Sequence, residues 1–97
     1  MRYDCSNPAD RAAGIDAATA AIAAGDLVVL PTDTVYGLAA DAFSADAVLG
    51  LVAAKGRGRE MPPPVLIGAP ATLEALAAEV PTWLRAMTSE LWPGPLT

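Results

Sequence analysis

Residues 27–38 read Leu-Val-Val-Leu-Pro-Thr-Asp-Thr-Val-Tyr-Gly-Leu, and this stretch decides the fold. Its first four residues, Leu27 to Leu30, form an apolar run bounded by Asp26 and Pro31. Such a run predicts a short buried strand of the kind found in α/β sheets, because both of its faces are apolar. After the polar turn, residues 36–40 predict a second strand.

A helix is predicted before these strands. Asn7 followed by Pro8 is typical of a helix start, and Gly25 is typical of a helix end. The apolar positions that share one face of this helix, and that we expect to be buried, are Ile15, Ala18 and Ile22.

A second helix is predicted after the strands. Ser44 suits its N-cap and Gly56 its end, which places Lys55 in the last turn. The residues expected to share its buried face are Val48, Leu51 and Val52.

The last third of the chain predicts a loop, a strand and two helices. Residues 56–64 are rich in proline and glycine and form the loop, and residues 65–67 predict another buried strand. A short helix is predicted over residues 71–78, and a final helix from near Pro81 to just before Trp92, with Leu84, Met87 and Leu91 on one side. Strands that alternate with helices predict the α/β class, in which ligands bind where loops meet at the strand ends.

Composition limits the classes of partner. The 97 residues fit one domain, and the net charge is −5, with six basic and eleven acidic residues. Nonspecific binding to nucleic acid depends on many Lys and Arg contacts, so this balance argues against a general nucleic-acid surface. Any RNA contact is therefore expected to be weak and local.

Cysteine and histidine usage excludes several kinds of site. With a single Cys5 and no histidine, the chain cannot assemble an internal disulfide, a Cys/His zinc site or a His-based triad. The N-terminus has no apolar signal region, and no run of about 18 apolar residues exists to span a membrane. We therefore expect a cytoplasmic protein without a membrane partner.

The hydroxyl turn, residues 32–36, is a candidate binding site. It follows a predicted strand at once, so the hydroxyls of Thr32, Thr34 and Tyr36 and nearby backbone N–H groups can converge on a small polar ligand such as an amino acid. The alternative is structural, because Thr and Asp oxygens commonly satisfy N–H groups within turns. Tyr36 also has the alternative of packing in the core or at its rim.

The basic segment, residues 55–59, is a candidate phosphate site. Lys55, Arg57 and Arg59 supply donors that suit phosphate oxygens, and the two intervening glycines let the backbone come close. The alternative is a solvated charge cluster in a loop. The segment lacks the third glycine of a dinucleotide fingerprint and is not a Walker loop. Together the two segments suggest a nucleotide beside a small polar substrate.

Three motifs in order resemble the YrdC-like threonylcarbamoyl-AMP synthase family. They are Pro-Thr-Asp-Thr-Val-Tyr-Gly-Leu at 31–38, Ala-Lys-Gly-Arg at 54–57 and Trp-Pro-Gly-Pro-Leu-Thr at 92–97. The resemblance runs from about Gly14 to the C-terminus and corresponds to the N-terminal half of the family domain. The loop at residues 58–62 is similar to that of actinobacterial members.

The resemblance implies a fold, an activity and a cellular role. The implied fold is a twisted mixed sheet with helices, of the YrdC/RibB type, with residues 1–97 forming a partial domain. The implied activity is that of a cytoplasmic nucleotidyltransferase that joins L-threonine, bicarbonate and ATP into threonylcarbamoyl-AMP and releases pyrophosphate. The product supplies the tRNA-modification machinery that makes threonylcarbamoyladenosine.

The resemblance also assigns site residues. Thr32 corresponds to the threonine-binding position of the family, with Thr34 and Tyr36 beside it. Lys55 and Arg57 correspond to the basic pair that contacts the ATP phosphates, and Arg59 to a further nucleotide contact. Magnesium is expected with ATP, because charge builds up during adenylation. No residue is assigned as a metal ligand or as a catalytic group.

The chain departs from the family pattern at two places. Family loops often carry Arg-Pro and then Lys-Pro-Leu, whereas this chain has Gly58 and then Met61-Pro62-Pro63. The family's second half, with its Ser-x-Asn motif, does not occur in these 97 residues, so we expect a truncated chain with weak or no turnover. The alternatives are a module that binds nucleotide or double-stranded RNA, a fragment of a hydrogenase-maturation carbamoyltransferase, and an inactive remnant.

Overall fold

A computed structural model describes residues 1–58 and 60–97. The elements in chain order are α1 (Pro8–Ala23), β1 (Val28–Pro31), β2 (Tyr36–Ala39), α2 (Ala45–Ala54), α3 (Ala71–Leu76) and α4 (Thr82–Leu91). They fall into two compact units, Met1–Pro63 and Pro64–Thr97. The predicted α/β class is confirmed, and all four predicted helices are present.

Both ends of α1 lie where the sequence predicts them. The Asn7 side chain accepts the N–H groups of Ala9 and Asp10, so it caps the first turn. At the other end Gly25 has φ +87°, and the N–H of Asp26 donates to the Ala21 carbonyl at 2.9 Å. This pattern is a Schellman motif, which needs a residue with positive φ after the helix.

The half-buried face of α1 differs from the prediction. Ile15, expected in the buried stripe, is 60% exposed, whereas Ala18 and Ile22 are half-buried as predicted. Tyr3 lies against Gly14. A Cβ at position 14 would lie only 2.9 Å from the Tyr3 Cβ, so this contact requires glycine. Tyr3 therefore covers the Gly14 side of the helix, and Ile15, one residue further, lies outside this contact and in solvent.

The sheet of the first unit consists of two antiparallel strands. β1 pairs with β2 in the register Val28 with Ala39 and Pro31 with Tyr36, and α1 contacts β1. The prediction that residues 27–30 are buried on both faces is wrong, because Val29 is 67% exposed and the strand alternates between half-buried and exposed residues. A two-stranded pair covered on one face leaves every second side chain in solvent.

The helix α2 supplies the core of the first unit. Ser44 caps its start, with the hydroxyl oxygen accepting the Ala47 N–H at 3.3 Å. Ala47 and Leu51 are buried, and Val48 and Val52 are half-buried beside them. The predicted buried face of this helix is confirmed.

The predicted strand at residues 65–67 does not form. Residues 65–67, all of which the structure describes, form no strand, and Leu66 is 86% exposed. A strand needs a hydrogen-bonded neighbour, and the part of the chain that the structure describes gives this segment none. The run of prolines at 62–64 adds to this, since proline has no N–H to donate to a ladder.

The helices of the second unit are close to their predicted positions. α3 ends at Leu76, two residues earlier than expected, and α4 ends before Trp92 as expected. On α4 Leu84 and Met87 are half-buried, but Leu91 is exposed. The buried residue of this helix is Thr88, whose hydroxyl donates to the Leu84 and Arg85 carbonyls at 3.0 and 3.1 Å.

Candidate functional site

The hydroxyl turn joins β1 to β2 and is organised by Thr32. The Thr32 N–H donates to the Val35 carbonyl at 3.2 Å. The Thr32 hydroxyl oxygen accepts the N–H groups of Thr34 and Val35 at 3.3 and 3.2 Å, and its proton is donated to the Val35 carbonyl. A hydroxyl has one proton and two lone pairs, so the Thr32 hydroxyl uses its full hydrogen-bonding capacity within the turn.

Thr34 and Tyr36 are the members of the turn whose hydroxyls are available. Tyr36 is the first residue of β2 and is 77% exposed, and Thr34 is exposed as well. Neither hydroxyl makes a hydrogen bond to any residue that the structure describes. Tyr36 does not pack in the core, whereas packing at the rim stays open, and its ring is accessible to a ligand.

The basic segment begins in the C-terminal cap of α2. Lys55 is the C-cap residue, and Gly56 follows with φ +64°. The N–H of Gly56 donates to the Ala53 carbonyl at 3.0 Å, and the N–H of Arg57 donates to the Val52 carbonyl at 3.1 Å. This second Schellman motif fixes the backbone of both cations, as the predicted helix end at Gly56 implies.

The charges of Lys55 and Arg57 are not compensated by ion pairs within the described residues. Both side chains are exposed, and the ion pair that the structure describes, between Arg85 and Glu74, lies in the other unit. Cations at a helix C-terminus are also favoured by the helix dipole. The arrangement therefore offers an anion two positive charges on exposed side chains whose backbone is fixed by the helix cap. Arg59, the third predicted cation, lies outside the described residues.

A carboxylate beside the basic segment was not predicted from the sequence. The Glu60 carboxylate lies over the Cα of Gly58, in the space that a side chain at position 58 would occupy. The Met61 N–H donates to the Gly58 carbonyl at 3.2 Å, so the chain turns back at this point. The lack of a side chain at Gly58, where family loops often carry proline, is what makes room for Glu60.

The predicted site residues thus form two local clusters in the unit Met1–Pro63. Thr32, Thr34 and Tyr36 share the hydroxyl turn, and Lys55 and Arg57 share the cap of α2. No hydrogen bond or ion pair joins the two clusters in the described ranges. Their convergence on a common cavity stays a prediction.

Magnesium is expected with ATP, and the described residues offer no group of three ligands for it. No three His, Cys, Asp or Glu side chains come together among residues 1–58 and 60–97. The expected magnesium therefore has no protein ligand assigned in this chain. In the same described part of the chain, no helix has both the length and the apolar character needed to cross a bilayer.

The second unit contains an open, solvent-accessible apolar cavity of about 370 Å³. Its walls include residues of the 64–67 segment, of α3 and of the Trp-Pro-Gly-Pro region, among them Val65, Leu76, Trp92 and Leu96. The Trp92 indole N–H donates to the Leu96 carbonyl at 3.0 Å, and its half-buried ring forms part of the wall. None of the predicted site residues lines the cavity.

The sequence of residues 20–97 matches the Sua5/YciO/YrdC family profile, which is described as telomere recombination. The chain belongs to this family. The match includes the hydroxyl turn, the basic segment and the Trp-Pro-Gly-Pro motif, so the resemblance seen in the sequence is confirmed.

Curated relatives carry the name of a synthase. The chain is 50% identical over 95 residues to a Mycobacterium tuberculosis protein named "Putative threonylcarbamoyl-AMP synthase", covering 98% of this chain and 44% of the relative. It is 44% identical over 73 residues to the threonylcarbamoyl-AMP synthase of Pyrococcus abyssi, covering 75% of this chain and 22% of that protein. The chain thus spans less than half the length of these relatives. No solved structure matches it.

Proposed function

We propose that the protein carrying this chain makes threonylcarbamoyl-AMP from L-threonine, bicarbonate and ATP. The single observation that carries the proposal is the 50% identity to the mycobacterial relative over 98% of this chain. The chain spans 44% of that relative, so the proposal assigns it part of the site. The reaction belongs to the nucleotidyltransferases and takes place in the cytoplasm, where the product serves the machinery that makes threonylcarbamoyladenosine in tRNA.

The hydroxyl turn is the proposed threonine end of the site. The Thr34 and Tyr36 hydroxyls are free to donate or accept, which suits the carboxylate and hydroxyl of L-threonine. Thr32 holds the turn that presents them. For Thr32 to donate to the ligand as well, its proton has to leave the Val35 carbonyl, which a charged carboxylate, as the stronger acceptor, favours.

The basic segment is the proposed ATP end. The threonine amine first bonds to the bicarbonate carbon and water leaves, which gives threonylcarbamate. Adenylation then forms a bond between an oxygen of the threonylcarbamate carboxylate and the α-phosphorus, and it breaks the bond from that phosphorus to the pyrophosphate oxygen. Negative charge grows on the departing pyrophosphate, and fixed cations stabilise it. The helix cap fixes the backbone of Lys55 and Arg57, and their exposed side chains become ordered on the phosphates when ATP binds. Arg59 is proposed as the third contact.

The test is a pyrophosphate-release assay on the protein that carries this chain. We expect release only when ATP, L-threonine and bicarbonate are all present, with the adenylated product detected by mass spectrometry. Release with ATP alone would indicate a simple pyrophosphohydrolase. ATP or double-stranded RNA binding without release in any mixture would favour the binding module. The net charge of −5 argues against strong RNA affinity in that case.

A further inference from the structure

Gly37 occupies a strand position that does not need glycine for its backbone. It is the second residue of β2, paired with Leu30, and the positive-φ glycines among the described residues are Gly25 and Gly56. A glycine inside a strand gives up side-chain packing and costs conformational entropy. Its presence calls for a neighbour that requires the space.

That neighbour is Thr32. A Cβ on Gly37 would lie 3.3 Å from the Thr32 Cγ2, and the next heavy atom, the Leu30 carbonyl oxygen, is at an ordinary 4.0 Å. The Thr32 methyl therefore lies over the bare backbone of Gly37. Any side chain at position 37 would push this methyl by a few tenths of an ångström.

Moving the methyl also moves the hydroxyl, because both are attached to the same Cβ and turn together about χ1. The hydroxyl makes three hydrogen bonds within the turn, to Thr34, to the Val35 N–H and to the Val35 carbonyl. A rotation of χ1 would loosen all three. The missing side chain of Gly37 thus keeps the Thr32 rotamer, and through it the turn, in place.

We infer that Gly37 is a positioning residue of the threonine site, acting through the Thr32 rotamer. The inference rests on the proposed function. It predicts a steric coupling between positions 32 and 37 that affects L-threonine and leaves ATP unaffected, because ATP is assigned to the basic segment.

The first test is Gly37→Ala. We expect the KM for L-threonine to rise about ten-fold, with the KM for ATP changed less than about two-fold. The matched control is Gly50→Ala, which adds the same methyl on α2 where nothing lies within 4 Å. We expect Gly50→Ala to leave both KM values unchanged. The nearly unchanged KM of Gly37→Ala for ATP would show that this variant is folded.

The second test is rescue by removal of the colliding methyl. Thr32→Ser keeps the hydroxyl and lacks Cγ2, so a Cβ at position 37 has nothing to meet. In the Thr32→Ser background we expect Gly37→Ala to raise the KM for L-threonine less than about two-fold over Thr32→Ser alone. An equal effect of Gly37→Ala in both backgrounds overturns the steric coupling.

A third experiment measures the Thr32 rotamer directly, in the absence of catalysis. Three-bond NMR couplings to the Thr32 methyl carbon report χ1, which should change from wild type to Gly37→Ala. An unchanged χ1 overturns the inference, and so does a changed χ1 with an unaltered KM for L-threonine. A wild-type protein without threonine-dependent pyrophosphate release removes the proposed function instead, and the threonine role of Gly37 falls with it.

Discussion

The backbone N–H of Arg57 donates to the carbonyl of Val52 at 3.1 Å. This bond closes the last turn of α2 around Gly56 and brings the chain out of the helix with Lys55 and Arg57 on either side of the glycine. The positions of both candidate phosphate contacts therefore depend on a residue that carries no charge.

Gly56→Ala tests this dependence. Gly56 has φ +64°, which an L side chain rarely adopts, so we expect a loss of about 1–2 kcal/mol in the stability of α2. Amide hydrogen exchange of α2 measures it. Gly50→Ala in the middle of the same helix is the control, and because alanine is the better helix former we expect it to gain up to about 1 kcal/mol. Equal exchange rates in Gly56→Ala and wild type would contradict the role of the cap.

Lys55→Met tests the charge itself. Methionine keeps an unbranched apolar chain and removes the ammonium, so we expect ATP binding to weaken by about 1–3 kcal/mol if the ammonium contacts a phosphate. Titration calorimetry at two salt concentrations measures the loss, which should shrink at high salt. Arg11→Met, on the exposed surface of α1, changes the net charge equally. Equal affinity of the Lys55 and Arg11 variants would remove Lys55 from the site.

The helix ends were predictable because their signals are local. Asn7 with Pro8, Ser44 and the two capping glycines act within a few residues, and their bonds appear where the sequence places them. The absence of a strand at residues 65–67 was not predictable, because strand formation depends on a partner elsewhere in the chain. The exposure of Ile15 was not predictable either, because the side of α1 that Tyr3 covers depends on a residue outside the helix.

The site was predictable in its residue types and less so in their roles. The sequence left two interpretations of the hydroxyl turn open, a ligand site and a turn that satisfies its own N–H groups. In the structure the Thr32 hydroxyl satisfies N–H groups of its own turn, whereas the Thr34 and Tyr36 hydroxyls stay available to a ligand. The contact between Thr32 and Gly37 crosses from the turn into β2, so no local pattern signals it.

Thr32→Val removes the hydroxyl and keeps the shape of the side chain. We expect the turn to loosen and the KM for L-threonine to rise about ten-fold or more, with a smaller effect on ATP. Steady-state kinetics with each substrate varied in turn measures the split. Thr19→Val is the control, since its hydroxyl also bonds a backbone carbonyl, that of Ile15 at 2.8 Å, but on α1. Similar rises in both KM values would point to general damage instead of a threonine site.

The pH dependence of stability has one identifiable contributor at the N-terminus. The Ser6 hydroxyl and then the Ser6 N–H, at 2.7 and 3.0 Å, donate to the Asp4 carboxylate and hold its pKa below the ordinary value of 3.8. A carboxyl whose pKa is lowered on folding stabilises the fold above its unfolded pKa, and this contribution is lost as the pH falls through the folded pKa.

Asp4→Asn isolates that contribution, because asparagine keeps an acceptor oxygen and loses the charge. We expect the variant to be less stable than wild type near neutral pH and the difference to disappear in acid below the Asp4 pKa. Urea unfolding at a series of pH values measures it. The control is Asp26→Asn, which removes the same charge. Asp10 is not used because it lies in the first turn of α1, where its charge interacts with the helix dipole. A difference that persists in acid would show that Asp4 acts through something other than its charge.

In the Trp-Pro-Gly-Pro motif, position 94 has no room for a side chain. A Cβ at this position would overlap the Leu91 carbonyl oxygen, which belongs to the backbone at the end of α4 and cannot swing away as a side chain does. We expect Gly94→Ala to destabilise the unit Pro64–Thr97 by about 1–3 kcal/mol. Both tryptophans of the chain, Trp83 and Trp92, lie in this unit, so tryptophan fluorescence during urea unfolding follows it directly. Gly68→Ala, with nothing within 4 Å, is the control and should leave the midpoint unchanged. Equal midpoints for the two variants would mean that the motif tolerates a side chain at position 94 and that its glycine serves another purpose.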